Sequence, residues 1–82
     1  MVEVEFTKEF RFIFSKIKDA LLKQKIINQI KKIKNNPSVG KPMKNVRKGT
    51  RELHVKPFRL SYIYYVDKDL VCLLDLYHKK KQ

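Results

Sequence analysis

At 82 residues, the chain has room for one domain built on one modest core. Hydrophobic residues make up 43% of it, five Phe and four Tyr among them, which excludes a disordered tail. A formal net charge of +12 acts against compaction by self-repulsion and points to a polyanionic partner: a nucleic acid, an acidic protein or a membrane surface. The single cysteine, Cys72, excludes an intramolecular disulfide and fits a reducing cytosol. Lying within an apolar run, it reads as a small core residue rather than a reactive thiol. One Cys and two widely spaced His do not make a zinc site. No apolar run approaches the ~18 residues of a transmembrane helix, and the Met-Val-Glu-Val-Glu start lacks the basic opening of a signal peptide. The expectation is a soluble, cytoplasmic protein.

Val2, Val4 and Phe6 alternate with Glu3 and Glu5, the pattern of a short strand with one wet face. Thr7 is placed to cap a helix in which Phe10, Ile13, Phe14 and Ile17 recur at i, i+3, i+4, i+7. Phe12 falls off that stripe. After Lys18, Asp19 can cap a second helix, with Leu22, Ile26, Ile30 and Ile33 on its core face and Leu21 and Ile27 widening it. Lys23, Lys25, Lys31, Lys32 and Lys34 surround its polar side and read as a solvated face. Asn35-Asn36-Pro37 ends it, because a residue before proline is pushed out of the α region. Two antiparallel helices joined by a bend, or one kinked helix, fit this pattern.

From Ser38 to Thr50 periodicity gives way to a basic loop punctuated by Gly40, Pro42 and Gly49. Between Lys41 and Arg59, seven Lys or Arg stand against Glu52 alone. Lys41, Lys44, Arg47, Lys48, Arg51 and Lys56 are therefore candidate polyanion-binding residues, RNA-binding ones if the partner is RNA, set beside a sheet where phosphate is well held.

Alternation at period two resumes at Arg51, breaks at Lys56-Pro57 and continues through Tyr65, which predicts two antiparallel strands and a tight turn. Leu53, Val55, Phe58, Leu60, Tyr62 and Tyr64 then share an apolar face, and Glu52, His54, Arg59 and Ser61 the other. The turn sets Val55 against Phe58 and His54 opposite Arg59. Asp67-Lys68-Asp69 makes the next turn, before a more continuously apolar strand from Leu70. A three-residue turn puts Leu70, Cys72, Leu74 and Leu76 on the apolar face and brings Asp75, Tyr77 and Lys79 to Arg59. A two-residue turn reverses every side chain. Burial favours the first.

These pieces resemble a known family. A strand and two helices, then Gly40-Lys41-Pro42-Met43-Lys44, Arg51-Glu52-Leu53-His54-Val55, Phe58-Arg59-Leu60-Ser61-Tyr62 and a late apolar strand ending His78-Lys79-Lys80, are similar to the RelE/ParE toxin superfamily, most closely its RelE and HigB-like branches. The resemblance spans nearly the whole chain. It implies an α+β fold, with a small antiparallel β-sheet packed against an N-terminal helix pair in the order β-α-α-β-β-β, as a single domain over residues 1–82. It implies a metal-independent, ribosome-dependent mRNA endonuclease without cofactor, cutting in the A site and inhibiting translation. An acidic RelB-like antitoxin would be its partner in a toxin–antitoxin hetero-oligomer. By the same resemblance Arg59 stabilises the scissile phosphate. Lys79, with His78 beside it, is the late basic group, and Glu52 and His54 are the participants on the first hairpin strand. Some members carry a tyrosine beyond the late basic position. Here Tyr77 precedes Lys79, so that role is not transferred.

RNA cleavage without metal uses the 2′-hydroxyl as nucleophile, so the enzyme must accept its proton, stabilise the phosphate and protonate the departing 5′-oxygen. Arg59 suits the second task, because a guanidinium is always charged and can grip two oxygens; its ordinary reading is a surface arginine paired with Glu52 or Asp75. His54 and His78 carry the side chain suited to moving a proton near neutrality. Lys79 suits electrostatic support, since an ammonium is a poor base unless cationic neighbours crowd it. Glu52 is a possible base weakened by any bond to Arg59. Base and acid stay unassigned among these residues. Within the superfamily the alternative is a ParE-like DNA gyrase inhibitor, and outside it a non-catalytic basic nucleic-acid-binding module.

Overall fold

Alternation at the N-terminus gives β1, Glu3–Phe6, with Glu3 and Glu5 exposed and Val4 and Phe6 toward the helices. This computed structural model describes residues 2–44 and 47–78. Thr7 ends the strand and caps α1, Lys8–Lys16: its hydroxyl accepts from the Phe10 N–H at 3.1 Å and donates to the Leu74 carbonyl at 2.7 Å. Asp19 caps α2, Ala20–Asn35, accepting from the N–H groups of Leu21 and Leu22. With Ile17 and Asp19 both extended, the helical segment is two helices and not one kinked one. Phe10, Ile17, Ile26 and Ile33 are buried, as the stripes require. Leu21 departs from expectation: it is 75% exposed, because a turn of about 100° per residue carries it off the line of Leu22, Ile26 and Ile33.

The sheet has five strands in the order β1-β5-β4-β3-β2, where β2 is Lys41–Pro42, β3 Arg51–Val55, β4 Phe58–Tyr65 and β5 Leu70–His78. The expected α+β architecture, a helix pair against a small sheet, is what the chain forms. The sheet is mixed, however, and not wholly antiparallel. β1 runs parallel to β5, a pairing the two-helix crossover makes possible, and the short β2 adds to the edge of β3.

Across the Lys56-Pro57 turn, Val55 faces Phe58 and His54 faces Arg59, the register read from the alternation. Between β4 and β5 both anticipated parities occur, but the connection spans residues 66–69, longer than either expected turn, so that Tyr65 and not Val66 faces Leu70. Tyr65 to Tyr62 pair with Leu70 to Leu73; then Leu74 is left over as a bulge, and Ser61 to Phe58 pair with Asp75 to His78. The buried residues of β5 are therefore Val71, Leu73 and Leu76, and not the quartet Leu70, Cys72, Leu74 and Leu76. Cys72 lies opposite Ile63 and beside Glu5, on the side of the sheet away from the helices and outside the main core. Burial, then the Glu5 carboxylate, push its thiol up, which favours the unreactive protonated form.

The fully buried Tyr62 ties the helix side of the sheet to the basic loop. Its hydroxyl donates to the Pro37 carbonyl at 2.7 Å and accepts from the Gly40 N–H at 2.8 Å. A Cβ at Gly40 would come within 2.6 Å of that hydroxyl, so the close approach requires glycine. Burial raises the phenol above its ordinary range, with the Gly40 hydrogen bond and the Arg51 charge pulling the other way. Tyr62→Phe leaves the Gly40 N–H and the Pro37 carbonyl without this partner, and should lower stability by about 1–3 kcal/mol. Urea denaturation monitored by circular dichroism checks this; an unchanged midpoint would show that water replaces the hydroxyl.

Candidate functional site

The face of the sheet turned away from the helices carries the polar residues. Glu52 and His54 on β3 stand across from Ser61 and Arg59 on β4, and these across from Asp75 and Tyr77 on β5. Glu52 is only 4% exposed. A buried carboxylate must be paired or neutralised, and here both oxygens are engaged. Arg59 donates from Nη1 to Oε1 at 3.3 Å, and the Tyr77 hydroxyl donates to Oε2. Arg59 keeps 19% of its side chain exposed. Its Nε is buried and makes no hydrogen bond among the described residues, and neither does Ser61 Oγ two residues on.

Arg47 covers this network from the loop. In the left-handed backbone region (φ 61°), it pairs with Asp75 at 3.4 Å and lays its guanidinium over the Tyr77 ring, 4.5 Å from the centroid. Asp75, Arg47, Tyr77, Glu52 and Arg59 thus form a continuous chain of contacts across three strands and a loop.

The sequence-derived candidates separate on this geometry. Arg59, Glu52 and His54 share the outer face, and Arg59 makes the ion pair with Glu52 that is its ordinary reading. Held on both oxygens and shielded from water, Glu52 is placed to orient Arg59 and poorly placed to accept a substrate proton. His78 lies on the other side of the sheet: it pairs with Phe58 and meets its ring edge-on at 5.9 Å, two positions along from the buried Leu60–Leu76 pair. The bulge at Leu74 produces that outcome, since Tyr77 and not His78 faces Arg59. Lys79 lies outside the described residues.

Among the basic candidates, Lys41, Lys44, Lys48 and Lys56 are exposed. Arg51 is turned inward instead, donating from Nη1 to the carbonyls of Ser38 at 3.0 Å and Gly40 at 2.7 Å, so its role is to fold the loop. Arg47 is committed to Asp75 and Tyr77. Sequence reading passed over Tyr77 as a site residue; the signal for it was its register opposite Arg59.

The sequence model of the ParE toxin of type II toxin–antitoxin systems matches residues 3–82. The chain belongs to that family. It is the toxin component of a type II toxin–antitoxin system, within the RelE/ParE superfamily. No curated protein sequence matches it. Solved structures agree on the fold. The Escherichia coli RelBE toxin–antitoxin complex matches at 10% identity over 95% of this chain and 96% of that one, with a TM-score of 0.81. The RelBE2 complex of Mycobacterium tuberculosis matches at 24% identity over 95% and 98%, at 0.80. A YoeB/ParE toxin from Agrobacterium tumefaciens matches at 17% identity over 94% and 98%, at 0.83.

The ion pair under this face predicts a specific double-mutant cycle. Glu52→Leu alone strands the Arg59 guanidinium. It should cost about 2–3 kcal/mol, short of the ~3–5 kcal/mol of a wholly buried pair because Arg59 retains some solvent. Adding Arg59→Leu to the toxin carrying Glu52→Leu should recover part of that loss. Additive losses in urea denaturation would show the two residues to be energetically independent.

Proposed function

We propose that this toxin is a ribosome-dependent mRNA endonuclease that inhibits translation in the cytoplasm, with Arg59 as the group that receives the scissile phosphate. The supporting observation is the state of Arg59. Its guanidinium is oriented by a buried carboxylate, keeps part of its surface in solvent and has the exposed His54 opposite it in the strand register. A cation fixed before substrate arrives stabilises charge that develops in the transition state without reorganising at that moment. The 2′-hydroxyl attacks the adjacent phosphorus and loses its proton. Negative charge grows on the non-bridging oxygens, where Arg59 stands, and the P–O5′ bond breaks as that oxygen gains a proton. His54 is the described residue suited to one of the two proton transfers. Glu52 and Tyr77 are positioning residues that act through Arg59. Lys79 remains a candidate for the late basic role and His78, from the far side of the sheet, a weaker one. Lys41, Lys44, Lys48 and Lys56 supply affinity for the RNA backbone.

The antitoxin is the second partner. Several of the solved relatives are toxin–antitoxin complexes, and an acidic antitoxin complements a toxin of formal charge +12. A second reading, inhibition of DNA gyrase, draws on the ParE family match and on the Glu52–Arg59 pair, which occupies one guanidinium nitrogen.

Arg59→Ala should reduce A-site cleavage by at least about 100-fold while bulk RNA affinity falls only several-fold, as for a contact made in the transition state. Ribosome toeprinting and filter binding on the same preparations test this. Cleavage and affinity falling together would mark a plain RNA binder, and gyrase inhibition without A-site stops would establish the second reading.

A further inference from the structure

A groove of about 310 Å³ opens between α2 and the β3–β4 turn, lined by Lys25, Asn28, Gln29, His54, Val55 and Lys56. We propose that it holds a nucleotide of the same single-stranded RNA whose scissile phosphate lies at Arg59, an inference that rests on the endonuclease reading.

The lining is chemically one-sided. Lys25, Asn28 and Gln29 occupy one face of α2 at i, i+3 and i+4. Opposite them stand His54, Val55 and Lys56, with no carboxylate among the lining residues. Two ammonium groups at an acid-free site suit a phosphodiester. Carboxamides carry the donors and acceptors that read the exposed edges of an unstacked base. Asn28 accepts at Oδ1 from Gln24 Nε2 at 3.0 Å, which leaves its amino group as the donor for a ligand. The volume is at the lower end for small-molecule pockets, on the order of 300 Å³, enough for one nucleotide and too small for a folded element.

His54 is common to the groove and the candidate active site. It lines the groove and, in the β3–β4 register, is the residue opposite Arg59. The groove opens on the helix side of the β3–β4 hairpin and Arg59 on the other, so a strand leaving Arg59 past His54 reaches it by rounding the Lys56-Pro57 turn, and on that path the ligand is assigned to the substrate strand itself. Lys25 thereby departs from the solvated-face reading of the α2 lysines.

The test compares K25Q/K56Q with K31Q/K34Q, an equal loss of charge at α2 positions outside the groove. The probe is a 2′-O-methylated RNA octanucleotide, which cannot be cut, with affinity measured by fluorescence anisotropy across a salt series. K25Q/K56Q should weaken binding on the order of tenfold and make the log–log salt slope shallower by about 1.4, two phosphate contacts on single-stranded RNA, while K31Q/K34Q stays near the parent protein. With a dinucleotide, too short to span both sites, the two variants should bind alike. N28A/Q29A should weaken octanucleotide binding several-fold with an unchanged slope. Equal effects of the two lysine pairs on the octanucleotide would overturn the proposal. So would a groove-specific loss seen only with a glutamate-rich peptide, which would make it a protein-docking surface. The two readings fail separately. Toeprinting without A-site stops, alongside a preserved slope difference, removes the nuclease reading and leaves an RNA groove. A-site cleavage with no slope difference removes the groove alone.

Discussion

One unpaired residue in β5, the bulge at Leu74, governs the arrangement of the whole sheet. On its N-terminal side Val71 and Leu73 face the helices; on its C-terminal side Leu76 does, so the strand changes parity without leaving the core. Without the extra residue, Asp75 and Tyr77 would turn inward and the outer face would receive Leu74 and Leu76. The bulge carbonyl does not go unsatisfied. The Thr7 hydroxyl that caps α1 donates to it, so the start of the first helix is seated on the irregularity in the last strand. That contact links residues 67 apart in sequence and sets the position of the helix pair relative to the polar face.

Polar groups on the outer face are coupled because Glu52 is buried there. A carboxylate with 4% exposure is tolerable only if its charge and lone pairs are answered, and Arg59 and Tyr77 answer one oxygen each. The consequence is a guanidinium with little rotational freedom. Such an arrangement adds little net stability, since desolvation offsets much of the Coulomb attraction. What it does supply is orientation, the property that the role proposed for Arg59 requires before substrate arrives. Arg47, seated over Tyr77 and bound to Asp75, closes the chain of contacts from the loop side.

How much of this the sequence disclosed depends on how local the determining interaction is. Helix caps at Thr7 and Asp19, the buried stripes, and the pairing of His54 with Arg59 across a two-residue turn all depend on neighbours a few positions away, and each could be read. The β4–β5 register could not. Periodicity admits one parity per strand, and β5 has two, so choosing between turn lengths meant choosing between two half-correct answers. His78 enters the candidate site only through the family resemblance, as the neighbour of Lys79, and it packs against Phe58; the favoured register already brings Tyr77 to Arg59, where the structure has it. Alternation puts Glu52 on a wet face; Arg59 and Tyr77, reaching it from the other two strands of that face, enclose its carboxylate. Arg51 looked like one more basic loop residue, yet two carbonyls of the same loop claim its guanidinium.

The carboxylates of this chain are used for geometry more than for neutralising charge. Asp19 caps a helix, Asp69 accepts from the Tyr64 hydroxyl, and Glu52 and Asp75 fix two arginines. Among the described residues both ion pairs involve arginine, so no lysine has a carboxylate within ion-pair distance. Lysines on α2 and in the loop therefore keep their charge facing solvent, and their mutual repulsion is a standing cost to the folded state. A polyanion bound to the native form relieves that cost and stabilises the fold by mass action.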